Sequence, residues 1–202
     1  MVIDSSRKKV EQAAQDEEIY ISTDIETDGP IPGIYSMISI GSVAMKKDGS
    51  IMDSFGANLS PMEGAREDED TMKWWNQTED RRAALASTRV NSLNPAAAMR
   101  NYSDWVSSLG GHPVFVGYPV GFDFMFVYWY LIRYTGHSPF SFSALDMKSY
   151  AMPILTNEYR HSSKKHMPRQ WVGDEKELPH RAVEDARIQG EIFIRMRNSR
   201  GF

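Results

Sequence analysis

Cysteine is absent from the 202-residue sequence, which excludes disulfide bonds, thiolate metal sites and cysteine nucleophiles. This absence is typical of proteins of the reducing cell interior, so we expect a cytoplasmic location. No stretch of 18 apolar residues occurs, so we expect no membrane-spanning helix and no membrane partner. The first residues, Met1–Lys9, also lack the apolar segment of a secretory signal.

The sequence also has no excess of basic residues. It contains 23 Lys and Arg and 27 Asp and Glu, which give a net charge of −4. This balance excludes a protein that simply coats nucleic acid through its charge. The charge is unevenly distributed: residues 1–80 carry 7 basic and 17 acidic residues, and residues 81–202 carry 16 and 10. Acidic side chains can still serve a polyanionic ligand if they hold metal ions beside a basic patch.

The composition, with 41% apolar and 25% charged residues, is that of a globular protein, and the length suits one domain. Residues 1–17 are polar with little apolar periodicity, so we interpret them as a tail. Residues 18–202 then form a single domain.

The first half of that domain has the pattern of an antiparallel meander. From Glu18, apolar and polar residues alternate and predict a strand, with Asp24 and Glu26 on its polar face. Two more strands are predicted at Ile34–Met45 and Ile51–Leu59. Between them, Asp48-Gly49 is a hairpin signal.

The second half alternates helical and strand signals. Helices are predicted near 71–76, 81–87, 95–109, 122–134, 146–152 and 181–197, and short strands at 113–117 and 142–145. The helix Phe122–Tyr134 is apolar nearly all round, so we expect it to be deeply buried. Residues 156–179 are predicted to form a loop. This order predicts an α/β fold, a mixed sheet with helices on both faces.

Asp24 and Glu26 are the first candidate site residues. Two positions apart on a strand, they leave the same face and repel each other, so one takes a proton unless a cation neutralises them. Oxygen ligands suit Mg²⁺ or Mn²⁺.

Three further candidates are Asp123, Asp185 and His180. Asp123 lies between two phenylalanines in an apolar stretch, so it either caps its helix or faces a metal ion. Asp185 fits a surface position equally well. His180 precedes Asp185 by five residues, so both can reach one site only if His180 lies in the loop before the last helix.

Taken in order, these motifs resemble the DEDDh exonuclease superfamily, which has a ribonuclease H-like fold and includes proofreading exonucleases, oligoribonuclease and ribonuclease T. The matching segments are Asp24-Ile25-Glu26-Thr27, Ile38–Val43, Gly117–Asp123 and His180–Ala186. The resemblance covers the chain from about Ile19 to Met196. One departure is Tyr118-Pro119, where many members carry a His-Asn pair.

The resemblance implies that Asp24, Glu26, Asp123 and Asp185 organise two Mg²⁺ or Mn²⁺ ions and that His180 is the general base. It also implies that Thr27 contacts the terminal nucleotide.

Two other candidates for substrate contacts come from the residues themselves. Phe122, next to Asp123, is a candidate for stacking on a base, with core packing as the alternative. The basic loop is formed by Arg160, His161, Lys164, Lys165, His166 and Arg169. Its lysines, Lys164 and Lys165, are candidates for phosphate contacts, although surface loops are often basic without a function.

We therefore predict a metal-dependent 3′-5′ exonuclease that acts on single-stranded ends, RNA more than DNA, and releases nucleoside 5′-monophosphates by a two-metal mechanism. Two alternatives stay open: a non-catalytic nucleic-acid-binding module of the same fold, and a Mg²⁺-dependent phosphoesterase on small nucleotides. A homodimer is also considered, with Trp74, Trp75, Trp129 and Tyr130 as candidates for its interface.

Overall fold

The computed structural model describes residues 17–173 and 180–199 of the chain. Residues 1–16 of the predicted tail and residues 174–179 of the predicted loop lie outside the described residues. In the part of the chain that is described, no helix has both the length and the apolar character needed to cross a membrane.

Within these ranges, five strands form one mixed sheet, which confirms the predicted fold class. The strands are β1 (Glu18–Thr27), β2 (Met37–Met45), β3 (Ile51–Asn58), β4 (His112–Gly117) and β5 (Leu145–Asp146). Their order in the sheet is β3-β2-β1-β4-β5. The first three strands pair antiparallel, as the meander predicted, and β4 and β5 extend the sheet in parallel.

Several helices begin at a residue whose side chain accepts a hydrogen bond from a backbone N–H of the first turn. They are α1 (Glu69–Trp75), α2 (Glu79–Thr88), α3 (Pro95–Ser108), α4 (Val120–Thr135), α5 (Met147–Leu155), α6 (Arg169–Val172) and α7 (Ala182–Asn198). Thr78 and Asn94 each accept a hydrogen bond from the backbone N–H three residues on, so their side chains cap α2 and α3.

The alternation in β1 divides the core into two layers. Ile19, Ile21 and Ile25 face α3 and α4 in one buried cluster, which also holds Tyr102 and Phe126. The other layer contains Tyr20 from β1 together with Val43, Ala186 and Phe193, so it lies between the sheet and α7. Polar residues on the Tyr20 face of β1 therefore point toward α7, and this face carries Asp24 and Glu26.

Helix α4 corrects one expectation, because it is not buried on all sides. Phe126, Val127 and Tyr130 are buried, whereas Met125 and Ile132 are about two-fifths exposed, at 40% and 42%. The sequence did not predict this exposure. Both faces of the helix are apolar, so the hydrophobic periodicity does not show which face is exposed.

Other expectations also change. The predicted loop 156–179 contains two 3₁₀ turns, Tyr159–His161 and Lys164–His166, and the short helix α6. Trp75 and Tyr130 are 1% and 0% exposed, so these two dimer-interface candidates are core residues instead.

Gly41 allows α7 to pack directly on the sheet. It lies in β2 as the register partner of Asp24, and a Cβ at this position would collide with backbone atoms of Ala182 and Val183. The start of α7 therefore rests on β2 beside Asp24.

We expect Gly41→Ala to lower the free energy of unfolding by about 3 kcal/mol or more, because the colliding atoms are backbone and cannot rotate away. Urea unfolding followed by circular dichroism measures the change. Gly121→Ala is the matched control, since no atom lies within 4 Å of its added Cβ and alanine favours the helix. Equal stability of Gly41→Ala and the wild type would contradict this close approach.

Candidate active site

The site forms at the carboxyl end of β1, on the side of the sheet that faces α7. Asp24 and Glu26 leave this side together, as their spacing predicted, and Glu26 is only 8% exposed. The side-chain amide of Gln189 in α7 donates a hydrogen bond to Oδ1 of Asp24 at 2.7 Å. Asp24 is thus held between β1 and the last helix.

Asp123 joins these two acids because β4 separates from β1. The ladder between the two strands ends at Ser22 and Val116. Beyond that point, the backbone N–H of Ile25 donates to Oδ1 of Asp123 at 3.2 Å. This bond places the Asp123 carboxylate, 4% exposed, beside β1 between the first two acids.

Asp185 and His180 come from the start of α7. The Arg181 backbone N–H donates to Oδ2 of Asp185 at 3.1 Å, and Oδ1 of Asp185 is buried with no hydrogen-bond partner in the ranges 17–173 and 180–199. His180 lies in the bend before the helix, as predicted, with a φ of +54°. One ligand atom each from Glu26, His180 and Asp185 lie within 4.8 Å of one another.

The pKa values of all four carboxyl groups are raised. Burial raises the pKa of Asp24 well above its usual range, and the charges of Asp123, Glu26 and Asp185 raise it further. Burial, followed by Asp185 and Asp123, raises the pKa of Glu26 to about 8. Burial also raises the pKa of Asp123 to about 7 and of Asp185 to about 6. The four groups therefore cannot all be ionised at neutral pH without a nearby cation.

Lys164 supplies one positive charge near the acids. Its charge lowers the pKa of Asp24, Asp123 and Asp185. Tyr118 holds this lysine, because the Lys164 backbone N–H donates to the Tyr118 hydroxyl at 2.8 Å and the ammonium lies 4.9 Å from the ring centroid. Tyr118 belongs to the Tyr118-Pro119 pair that stands in place of the His-Asn pair. This difference from the common pattern thus places a lysine beside the site.

The ring of His180 packs against two tryptophans of α1. The ring centroids of His180 and Trp74 are 5.0 Å apart, and those of His180 and Trp75 are 6.1 Å apart, both edge to face. Trp75 is fixed in turn, since its indole N–H donates to the Thr27 carbonyl at 3.0 Å. The guanidinium of Arg81 lies 4.1 Å from the Trp74 ring.

The predicted substrate-binding residues occupy different environments. Thr27 is buried at 7% exposure, directly after Glu26. Phe122 is 36% exposed and also packs on Phe126, so stacking on a base and core packing are both compatible with its position. Lys165 is exposed, in contrast to the half-buried Lys164.

A groove of about 720 Å³ opens from the site across β2 and β3. It shares Glu26 and His180 with the acid cluster. Its other walls are formed by Ser39, Asn58, Ser87, Thr88, Arg181 and Val183, among others. The volume lies within the range typical of small-ligand sites.

The residues present fit divalent cations bound by oxygen. Four carboxyl groups with raised pKa values lie together, and Asp185 offers a buried oxygen that no donor in the described part of the chain satisfies. A divalent cation would relieve both the repulsion and the unpaired oxygen.

Gln189 is the site residue that the sequence analysis missed. It lies four residues after Asp185 in α7, so a helix places both side chains on one face. This spacing was the available signal, but its contact with Asp24 spans 165 residues of sequence.

Comparison with known proteins shows matches over most of the chain. A family model described as the 3′-5′ exoribonuclease Rv2179c-like domain matches residues 19–196. The chain is also similar to the 3′-5′ DNA exonuclease Cap18 of Escherichia coli, with 33% identity over 181 residues, which cover 88% of this chain and 91% of Cap18.

Solved structures share the fold. The nuclease domain of 3′hExo, a DEDDh family member bound to rAMP, is similar with a TM-score of 0.63 and 13% identity, over 92% of this chain and 93% of that one. Pop2p of S. pombe, in its Mg²⁺- and Mn²⁺-bound form, is similar with a TM-score of 0.58 and 13% identity, over 96% and 87%.

The raised pKa values predict that the metal-free protein loses stability as pH rises from 5 to 8. The folded carboxyl groups keep protons that the unfolded chain releases near its ordinary pKa values, so their stabilising effect is full at low pH and is lost as pH rises through about 6 to 8. We expect the melting temperature to fall by about 3 °C or more. Mg²⁺ should raise it more at pH 8 than at pH 5.

Thermal melts in chelator measure this profile. Glu26→Gln should flatten it, because the variant lacks one titrating group, whereas Asp104→Asn at an exposed position of α3 should not. A metal-free protein that gains stability between pH 5 and 8 would contradict the expectation.

Proposed function

The chain belongs to the Rv2179c-like family of 3′-5′ exoribonucleases and is a metal-dependent 3′-5′ exonuclease of the DEDDh superfamily, and from this we propose that it shortens single strands from their 3′ ends. The products are nucleoside 5′-monophosphates. The observation that carries this proposal is the convergence of Asp24, Glu26, Asp123, Asp185 and His180 at the end of β1.

The four carboxylates would hold two Mg²⁺ or Mn²⁺ ions. When bound, the ions supply charge neutralisation of the scissile phosphate, an acidified water and stabilisation of the leaving 3′-oxygen. The protein orients three of these carboxylates, those of Asp123, Asp185 and Asp24, before substrate arrives, through donors from Ile25, Arg181 and Gln189.

His180 acts as the general base that takes a proton from the attacking water. Support comes from its place beside Glu26 and Asp185 and from the edge-to-face packing on Trp74, which restrains the ring. Its backbone, outside the helix, lets the ring lie over the acids.

The groove beside Glu26 and His180 holds the terminal nucleotide. Thr27 and Phe122, the chain neighbours of Glu26 and Asp123, are the proposed contacts of that nucleotide outside the groove lining. Lys164 contacts the phosphate, supported by the charge that it places near Asp24 and Asp123. Lys165, which is exposed, contacts the phosphate backbone further along the strand.

RNA is the proposed substrate, because the matching family is described as an exoribonuclease. DNA is the second candidate, and the similarity to a DNA exonuclease favours it. Contacts to the 2′-hydroxyl decide between them.

A homodimer is part of the proposal as well. Met125 and Ile132 of α4 are exposed near Trp129, and Ile31 and Ile34 of the loop after β1 are exposed too. Trp129 lies against Gly33 of that loop, so the loop adjoins α4 at this point, and we propose that its exposed apolar residues and those of α4 contribute to the dimer contact.

Oligomers labelled at the 5′ end, as RNA and as DNA of one sequence, test the function. With Mg²⁺ or Mn²⁺ we expect a ladder of products shortened from the 3′ end, faster for RNA, and no products in excess EDTA. Asp24→Asn should abolish hydrolysis and keep the fold, because it removes one charge and no volume, whereas Asp104→Asn should be fully active. Activity in EDTA, internal cuts in a circular strand, or hydrolysis of mononucleotides alone would refute the proposal.

His180→Ala should lower the rate by roughly 10²–10⁴-fold at neutral pH, because a positioned general base contributes about that much. Metal binding should be retained, and calorimetry with Mn²⁺ measures it. His112→Ala, at the opposite end of the sheet, is the control. Loss of Mn²⁺ binding in His180→Ala would make His180 a metal ligand, and an unchanged rate would remove it from the mechanism.

A further inference from the structure

Gln189 is fully buried, at 0% exposure, where α7 crosses β1. Its Nε2 group donates to Oδ1 of Asp24 at 2.7 Å. A hydrogen bond to an ionised acceptor is stronger than one to a neutral acceptor, so this bond is stronger when Asp24 is ionised. Asp24 is also a candidate metal ligand.

The packing of α7 keeps this amide in place. Gly190, the next residue, lies so close to the sheet that a Cβ there would be 3.0 Å from the Cβ of Ser22 and 2.7 Å from the terminal methyl carbon of Met45. Ser22 and Asp24 lie on the same face of β1, two positions apart. The helix therefore brings Gln189 to Asp24 and leaves the amide little freedom to move away.

Only one end of the Gln189 amide is satisfied. Among the residues that the structure describes, Oε1 of Gln189 is buried without a hydrogen-bond partner, and so is Oγ of Ser22 at the same interface. A buried polar atom without a partner destabilises the folded state, and an apolar side chain of similar shape would avoid that cost. The hydrogen bonding of this amide is thus directed to Asp24.

We propose that Gln189 is a positioning residue that orients the Asp24 carboxylate for metal binding, with Oδ1 held by the amide and Oδ2 left to the cation. The proposal rests on the proposed function, since it assigns Gln189 to the metal site of that reaction. Hydrogen bonds from outside the ligand set fix the direction of a metal ligand, and their loss typically weakens metal affinity by about 10–100-fold.

Gln189→Met tests the proposal, because methionine has nearly the same length and no donor. Calorimetry with Mn²⁺ should show a dissociation constant raised by about 10–100-fold. The Mn²⁺ concentration for half-maximal hydrolysis should rise by the same factor, while the rate at saturating Mn²⁺ stays within about threefold of wild type. The melting temperature of the metal-free variant should stay within about 5 °C of the wild type, because the unpaired oxygen of Gln189 is gone while Oδ1 of Asp24 loses its donor.

Gln170→Met is the matched control, since Gln170 is an exposed glutamine of α6 and the same change there should alter none of these values. Wild-type Mn²⁺ affinity in a folded Gln189→Met protein would overturn the proposal. If Gln189→Met does not fold, Gln189→Leu replaces it, and failure of both to fold would show a structural role instead.

The two proposals fail in different ways. A wild-type protein that binds no Mn²⁺ and hydrolyses no strand would refute the proposed function. A wild-type protein that does both, with Gln189→Met identical to it in Mn²⁺ affinity, would refute only the role of Gln189.

Discussion

Four carboxyl groups lie close together at the end of β1, and they repel one another when they are ionised. The surrounding hydrogen bonds and packing offset this repulsion. Burial and the neighbouring charges raise the pKa of Glu26 to about 8. Hydrogen-bond donors oppose this effect at the other three acids: a strand N–H at Asp123, a helix-cap N–H at Asp185 and an amide at Asp24. These donors hold each of the three carboxyl groups in one orientation.

Two features of the backbone allow the four acids to lie close together. β4 separates from β1 after Ser22, which frees the N–H of Ile25 for Asp123. Gly41 lets the start of α7 rest on β2, which brings Asp185 over the sheet. The mixed sheet matters to the site mainly through these two features, because both occur next to the same end of the central strand.

Much of this arrangement could be predicted from the sequence, because local patterns determine it. The alternation in β1 placed Asp24 and Glu26 on one face, and the five-residue offset placed His180 before α7. Helix α4 was predicted wrongly as buried all round, since an apolar sequence does not mark its exposed face. The partners of Tyr118 and Asp24 could not be predicted, because their contacts join residues 46 and 165 positions apart.

The packing of His180 on Trp74 couples the position of the imidazole to α1 and α2. Trp74 belongs to a helix pair that is remote in sequence from α7, and Arg81 of the same pair covers its ring. Any change in the position of this helix pair relative to the sheet therefore also moves the His180 ring relative to Glu26 and Asp185. A substitution at Trp74 or Arg81 would thus act on the acid cluster through the orientation of the imidazole, although both residues lie far from Asp185 in the sequence.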